Sequence, residues 1–425
     1  MRMLLLVPLS TLAVIGCGGS TTDDGVAWST TVDTLGDTIA VRTSGAESPP
    51  RHGIVIDRRV GTLEGAEEYT FGAITDVVVA PDEGFYVFDR QAMQLRRYDS
   101  TGTFVRNVGR RGAGPGEYDR VNGVDVGIDG RVYVWDAGNT RVSMFTPHGE
   151  PDGSFRVLSG LYTSNALTVD SSGVVFTRDH VFGPDVSKWR PIIVRHGPDG
   201  ASVDTIDVPV YDLPSSTIVS RTPGGGATSS REVPFAPARQ WALMPDMRFI
   251  SGRSDAYALH RELPDGKVLR IERAATPVPV SDAERSEQEE ITTHIMRDVN
   301  PSWRWNGPPI PESKPYFKAL ESALDGRVWV RLSQPGELSA DPDTARRDPE
   351  APPPQRYREP QVWDVFEADG RYLGQIELPD EFTLHAMRGE HVWGVLRDEL
   401  DVQYVVRARI DPPLAPTPSR DLTGR

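Results

Sequence analysis

Side chains suited to catalysis or metal binding are few in this sequence, and none of them stands in a recognisable catalytic motif. The 425 residues include eight histidines, and no two of them have the HxH or HExxH spacing that zinc hydrolases use. No Gly-x-Ser-x-Gly elbow, the turn that presents the serine of α/β hydrolases, occurs. GAGPGE (112–117) is rich in glycine, but a phosphate-binding loop also needs the start of a helix, and this stretch connects β-like segments. The sequence therefore predicts no catalytic residue.

Residues suited to binding are more evident, above all in the segment PSWRWNGPPIPESKPYF (301–317). It places Trp303, Arg304, Trp305 and Tyr316 among five prolines. Tryptophan, tyrosine and arginine dominate the energetics of binding surfaces, and prolines restrict the free chain. We therefore consider this segment a candidate contact surface for a ligand or protein. The alternative is that its tryptophans pack a preceding helix onto the fold.

Two shorter groups of polar residues are further candidates. Arg110 and Arg111 could bind an anionic group, although exposed arginines are usually solvated or paired with acids. Asn139 and Arg141 stand in a loop after Asp136. A structural role is the better interpretation there, because asparagine tolerates the left-handed turn conformation and Asp136 can accept hydrogen bonds from the loop backbone.

The single cysteine, Cys17, belongs to an export signal. Arg2 is followed by the apolar stretch MLLLVPLSTLAVIG (3–16), which is too short for a comfortable membrane span. VIGC (14–17) resembles the lipobox of bacterial lipoproteins, which implies acylation of Cys17 and stable anchoring by several chains. An ordinary signal peptide that happens to hold a cysteine is the alternative. Because Gly18 is not the aspartate associated with inner-membrane retention, we expect an outer-membrane lipoprotein of the cell envelope if the host has two membranes.

Composition excludes one class of partner and indicates the class of fold. The net charge is −15 and no run of lysine and arginine stands out, so nucleic acid is not expected as a partner, because phosphate binding needs a basic surface. The 40 glycines and 36 prolines recur at regular intervals along the chain, which suits many short strands joined by turns.

An internal repeat specifies the elements that must position any site. DEGFYVFDRQAMQLRRYDSTG (82–102) and DGRVYVWDAGNTRVSMFTPHG (129–149) match at a constant offset of 47 residues, and weaker copies follow for a total of six. Runs such as VVVA (77–80) and VYVW (132–135) are apolar at consecutive positions, which predicts strands buried on both faces. Radial stacking of small sheets buries both faces of every sheet. We therefore predict an all-β, six-bladed β-propeller with four-stranded antiparallel blades.

The stretch 109–149 also resembles an NHL-type repeat, a type found in six-bladed propellers of bacterial lipoproteins and secreted proteins. The matching marks are GAGPGEY, DGRVYVWD, GNTRV and the aromatic-turn-glycine ending. Asp89 and Asp136 end the second strand of the first two copies. We align this position with Arg178 in the third copy, and with leucines at 332 and 396 in the fifth and sixth.

Closure of the ring is predicted from a similarity between two further segments of the sequence. VGTLEGAEEYTFGAITDVVV (60–79) resembles VGRRGAGPGEYDRVNGVDV (108–126), in which Val-Gly ends the fourth strand of a blade. Residues 53–61 should therefore complete the last blade with the C-terminal strands. The resulting division is a signal peptide (1–16), a lipidated tether (17–50), the propeller (51–414) and a C-terminal tail (415–425).

Long insertions decorate one face of the predicted ring. They span 178–190, 211–240, 272–315 and 334–359, and all belong to loops that share a face in a four-stranded blade. Long irregular loops in a compact domain are often functional; plain decoration of the channel mouth is the alternative. One helix is predicted, near 281–300, with Ser281 or Asp282 as N-cap and with Ile291, Ile295 and Met296 on one face.

These observations favour a non-catalytic binding or scaffold module for an unknown protein or small-molecule partner, with the membrane contacted through Cys17 and no cofactor. The alternative is a metal-dependent, lactonase-like hydrolase or lyase with calcium or zinc at the channel mouth. Asp125 and His385 lie on predicted innermost strands and are the channel candidates for that alternative, although a hydrogen-bonded structural role accounts for each. Converging metal-ligand groups in the channel would favour the enzyme, and an apolar or arginine-lined mouth would favour binding.

Overall fold

A computed structural model of the chain describes residues 28–45, 49–157, 167–181, 190–197, 200–339 and 351–414. Cys17, the rest of the expected export signal and the expected tail at 415–425 lie outside these residues. In the part of the chain that is described, no helix combines the length and the apolar character needed to cross a membrane.

The strands form six radial sheets, which are the blades of a propeller. Three strands precede the first blade, namely β1 (Ser29–Leu35), β2 (Thr38–Ser44) and β3 (Arg51–Val60). Blade one contains β4 (Ile74–Val79), β5 (Phe85–Asp89), β6 (Gln94–Tyr98) and β7 (Phe104–Val108). The short strands β8 (Arg110–Arg111) and β9 (Glu117–Tyr118) lead to blade two, with β10 (Val121–Val126), β11 (Val132–Asp136), β12 (Arg141–Phe145) and β13 (Pro151–Arg156). Blade three contains β14 (Leu167–Val169), β15 (Val175–Val181), β16 (Arg190–His196) and β17 (Ser202–Asp207).

The second half of the ring carries the insertions. A hairpin of β18 (Thr217–Arg221) and β19 (Thr228–Glu232) precedes blade four, which contains β20 (Arg239–Leu243), β21 (Phe249–Arg253), β22 (Ala258–Glu262) and β23 (Val268–Arg273). The helix α1 (Asp282–Val299) follows. Blade five contains β24 (Phe317–Ser322), β25 (Val328–Leu332), β28 (Gln361–Phe366) and β29 (Tyr372–Leu378), and its long loop holds β26 (Glu337–Leu338) and β27 (Tyr357–Arg358). Blade six contains β30 (Phe382–Arg388), β31 (His391–Arg397) and β32 (Gln403–Asp411).

The packing explains why the repeat recurs. All five residues of β5 and all five of β11 are buried, because each of these second strands is covered by a neighbouring blade on either face. The cores accordingly lie between blades: one cluster joins Phe88 of blade one to Val134 of blade two, and the next joins Trp135 to Leu167 of blade three. The innermost strands β4, β10, β14, β20, β24 and β30 surround the central channel.

The ring closes through its N-terminal strand, as predicted. β3 pairs antiparallel with β32, with Val60 opposite Val405 and Gly53 opposite Asp411, and so provides the fourth strand of blade six. At its start, Arg51 and His52 also pair parallel with β29 of blade five. The first strand of the propeller therefore joins the last two blades.

The segment expected to be a tether contains a structured hairpin. β1 pairs antiparallel with β2, and β2 pairs parallel with β23, so the hairpin extends blade four to six strands. The interpretation of 17–50 as a tether was wrong for this part, which pairs with a blade. Val41 is buried against blade four, whereas every residue of β1 is exposed.

The helix α1 forms at the predicted position, and its buried face is largely polar. Ser281 is the N-cap and forms a capping box with Glu284, which satisfies two otherwise free backbone donors. Met296 is buried as expected, while Ile291 and Ile295 are only half-buried. The other buried residues are largely polar, because carboxylates of the helix accept hydrogen bonds from the loop of blade five.

Candidate functional site

A cavity of about 860 Å³ opens on the decorated face beside blade five. Three of the four expected insertions line it: 211–240 through Phe235, 272–315 through Gln288, and 334–359 through Arg358 and Glu359. Lys318 and Arg331 line it from the strands of blade five. We call it the blade-five cavity.

Arg331 is the most unusual residue of the blade-five cavity. It lies on β25, opposite Ala319 of β24, at the position that Phe88 holds in blade one and Trp135 in blade two. Its Nε is buried without a hydrogen-bond partner, and no described residue forms an ion pair with its guanidinium. An unpaired, partly buried charge is costly. The cavity therefore contains a cation whose counter-charge the described protein does not supply.

The neighbouring lysine is paired. Lys318 Nζ lies 2.7 Å from Glu359 Oε2. Burial lowers the pKa of Lys318, the Glu359 carboxylate opposes that shift, and the positive charges of Arg331 and Lys314 add to it. Because Glu359 also pairs with Lys314 at 3.0 Å, it balances two lysines and leaves Arg331 as the free cation among the described lining residues.

Long-range polar contacts fix the wall of the blade-five cavity. Lys314 is fully buried, donates to Glu284 of α1 and lies 2.8 Å from the carbonyl oxygen of Gln334. Burial opposes ionisation of Glu284, but hydrogen bonds from Lys314 and Ser281 lower its pKa overall. Glu287, one turn further on, accepts from the backbone N–H of Arg356 at 2.7 Å. These contacts attach the helix to the loop of blade five.

The two channel candidates lie on innermost strands, as expected, but on separate blades. Asp125 of β10 accepts from the backbone N–H of Val126 at 2.8 Å and of Val169 in blade three at 2.7 Å; burial raises its pKa to about 6. His385 is the extra residue of a bulge in β30, and burial lowers its pKa to about 4. Asp125 thus joins two blades by hydrogen bonds. Among the described residues, no three His, Cys, Asp or Glu side chains converge as metal ligands.

The aromatic segment after α1 packs mainly within the insertions. Trp303 is 4% exposed, lies in a cluster with Ile218 and Met296, and donates through Nε1 to the carbonyl oxygen of Val219 at 2.9 Å. Its indole therefore packs α1 against the hairpin of β18 and β19 rather than against a blade.

The neighbours of Trp303 differ in exposure. Trp305 is half-buried and donates to the carbonyl oxygen of Pro308, and Arg304 is exposed. Tyr316 is half-buried, with its ring 6.4 Å from that of Tyr257. None of the four lines the blade-five cavity.

The paired arginines also lie away from the blade-five cavity. Arg110 and Arg111 form β8, which pairs with β9, and both are exposed. Arg110 Nε donates to Glu117 at 2.8 Å, so its charge is balanced locally.

The loop after Asp136 has the structural role expected for it. Asp136 is fully buried and accepts from the backbone N–H groups of Arg120 and Asn139 at 3.0 and 3.2 Å. Asn139 Nδ2 donates to the carbonyl oxygen of Gly112, and Arg141 donates to that of Gly114.

Strand register corrects one predicted alignment. In blade three, the turn bond from Asp170 to Val174 corresponds to that from Gly127 to Arg131 in blade two. This register places Asp179, not Arg178, at the position of Asp136. Arg178 instead corresponds to Trp135, so it shares its position with Arg331.

That shared position is the signal that sequence reasoning missed. In the first two blades it holds Phe88 and Trp135, both fully buried against the next blade. An arginine at the same register marks a blade whose packing has changed. The alignment of the third copy was one residue out and so hid Arg178, whereas the alignment of the fifth copy, with Leu332 at the Asp136 position, already placed Arg331 there.

Comparisons with known proteins agree with the ring geometry. Residues 55–151 match the model of the DUF5128 family, described as a 6-bladed beta-propeller. The chain is similar to a member of the DUF4221 family from Bacteroides vulgatus, with 12% identity, a TM-score of 0.51, and 85% of this chain and 98% of that one covered. It is also similar to virginiamycin B lyase from Staphylococcus aureus (10% identity, TM-score 0.36, coverage 90% and 99%) and to a gluconolactonase from Xanthomonas campestris (13%, 0.36, 87% and 99%). None of the curated proteins matches the chain. The family match and the Bacteroides vulgatus structure agree that the fold is a six-bladed β-propeller.

Proposed function

We propose that this propeller is a non-catalytic binding module that holds a small anionic molecule in the blade-five cavity. The observation that carries the proposal is the guanidinium of Arg331, which lines the cavity without a partner among the described residues. A carboxylate, phosphate or sulfate group would supply the missing counter-charge. Arginine suits this task because its planar fork can donate two parallel hydrogen bonds to such a group.

The size and build of the cavity support a small molecule as the ligand. At about 860 Å³, it lies within the range of roughly 300–1,000 Å³ that is usual for small-molecule sites. Within its lining, Lys318 and Glu359 are already paired at 2.7 Å. A preorganised wall lowers the entropic cost of binding.

Titration of the purified protein with phosphate, sulfate, citrate and benzoate tests this proposal. We expect at least one of these anions to bind, by calorimetry, at about millimolar concentration or below. Arg331→Gln should weaken that binding about 10- to 100-fold, the effect of losing a charge-assisted hydrogen bond. Arg111→Gln, at an exposed position of β8 outside the cavity, is the matched control. Equal binding by wild type and Arg331→Gln, or no binding of any anion, would overturn the proposal.

We further infer that the protein is an NHL-type, lipid-anchored protein of the cell envelope. The basis is the repeat at 109–149 and the sequence from Arg2 to Cys17, with its lipobox-like VIGC. Labelling of cells with palmitate should mark the wild-type protein and not Cys17→Ser, and globomycin should block processing. A Cys17→Ser protein that still fractionates with membranes would contradict the anchor.

A further inference from the structure

A second cavity, of about 340 Å³, lies along the central channel between blades three, four and five. Thr168 of β14, Trp241 of β20 and Glu321 of β24 line it from the innermost strands, and Arg178 lines it from β15. Gln240 lines both this channel cavity and the blade-five cavity. The two cavities are therefore neighbours with separate charged groups.

Arg178 is placed to receive an anion. Its guanidinium carbon lies 4.4 Å from the centre of the Trp241 ring, and stacking of this kind leaves the N–H groups in the guanidinium plane free to donate. Within the described part of the chain, none of these groups has a hydrogen-bond or ion-pair partner. Burial lowers the pKa of Arg178, and the charge of Glu321 opposes that shift. Blades one and two hold Phe88 and Trp135 at the corresponding position, so the blade architecture itself does not require an arginine there.

Glu321 places the opposite charge on another wall of the channel cavity. Its side chain lines the cavity. Desolvation by the surrounding protein raises the pKa of its carboxyl, and the charge of Arg178 acts against that rise. The two side chains attract each other but form no direct ion pair in the described chain. A cation and an anion thus border one small space without neutralising each other by contact.

We propose that the channel cavity binds a small zwitterion, a free α-amino acid, with its carboxylate on Arg178 and its ammonium group on Glu321. Apolar atoms of the cavity, including Phe176, Ile193 and the ring of Trp241, would receive an apolar side chain. The volume of about 340 Å³ lies at the small end of the range for ligand sites, roughly 300–1,000 Å³. This proposal is independent of the anion site, because it depends on neither Arg331 nor Lys318.

Calorimetry with the twenty free L-amino acids tests the proposal on the intact protein. We expect one or more apolar amino acids to bind. N-acetylation or conversion of the carboxylate to an amide should each weaken binding of the wild-type protein by about tenfold or more, since each removes one charged contact. These modified ligands need no variant, so the test does not depend on how a substitution affects folding.

Two substitutions assign the contacts. Arg178→Gln should lose the preference for the free acid over its amide, and Glu321→Gln should lose the preference for the free amine over its N-acetyl form. Arg111→Gln, at an exposed position that lines neither cavity, is the control and should retain both preferences. The proposal is overturned if no amino acid binds, if the modified ligands bind as well as the parent, or if both substitutions leave binding unchanged.

Discussion

Replacement of Asp136 by alanine tests the account of the blade corner. The carboxylate ends β11, is fully buried, and accepts from the backbone N–H groups of Asp119, Arg120 and Asn139 at 3.2, 3.0 and 3.2 Å. It also accepts from Asn139 Nδ2 at 2.5 Å. It therefore holds the start of β10 and the loop before β12 in one arrangement, and Asp136→Ala removes the acceptor from both.

The expected cost is about 3–4 kcal/mol. Each donor left without an acceptor costs roughly 1–3 kcal/mol when it is buried. The full sum over four donors does not apply, because the loop is only partly buried, so water can reach some of these donors, and because neighbouring losses are not additive. For a propeller of this size, with an unfolding entropy of about 2.1 cal/mol/K per residue, a loss of that magnitude lowers Tm by roughly 4–5 °C.

The matched control is Asp179→Ala, at the same register position of blade three. There the carboxylate accepts, within the described chain, only from the backbone N–H of His180 at 2.7 Å, so we expect a cost of about 1 kcal/mol. Scanning calorimetry and urea unfolding of both variants measure the difference. If Asp136→Ala costs no more than Asp179→Ala, the carboxylate is not what holds the corner and the reasoning is refuted.

Three further predictions concern closure, a buried charge and pH. Deletion of 50–61 should lower Tm by roughly 10 °C because blade six loses its outer strand; unchanged melting would refute closure by β3. Lys314→Met should cost about 3–5 kcal/mol in urea unfolding because it leaves the carboxylate of Glu284 buried without its cation and leaves Glu359 paired with Lys318 alone; adding Glu284→Gln should recover part of this, and no recovery would contradict the account. Burial raises the pKa of Asp125 to about 6, so the folded protein retains a proton that the unfolded chain releases, and this stabilisation is present at low pH and lost as pH rises through 6. The stability deficit of Asp125→Asn should therefore be about 2 kcal/mol larger at about pH 4.5 than at about pH 7.5, and equal deficits by calorimetry would count against it.

The ring could be predicted from the sequence because its information is local and repeated. Consecutive apolar residues in β5 and β11 indicate that these strands are buried on both faces. The turn glycines Gly102 and Gly149 recur at matching positions, with φ values of +86° and +80°, where a side chain is disfavoured. The Val-Gly pair at 60–61 repeats the end of β7, so the pairing of β3 with the C-terminal strand β32 could also be predicted from the sequence.

The N-terminal hairpin and the cavities could not be predicted, for a different physical reason. β1 is polar and exposed throughout. β2 buries Ala40, Val41 and Thr43, but its partner strand β23 lies more than 200 residues away, so no local pattern indicates the pairing. The blade-five cavity is likewise assembled by loops from several blades. The net charge of its lining depends on which lysine pairs with which glutamate, for example Lys318 with Glu359. The spacing of these residues in the sequence does not indicate the pairing.

One position in the second strand of each blade, where the side chain faces the next blade, explains why both proposed sites lie in the same half of the ring. Blades one and two fill it with Phe88 and Trp135, which close the gaps to their neighbours. Blades three and five hold Arg178 and Arg331, and the cavities occur beside these two residues. An aromatic ring at either position would bury apolar area and avoid the desolvation of a charge. Stability alone would therefore favour the aromatic residue, and the two arginines mark the places where binding is the better explanation of the sequence.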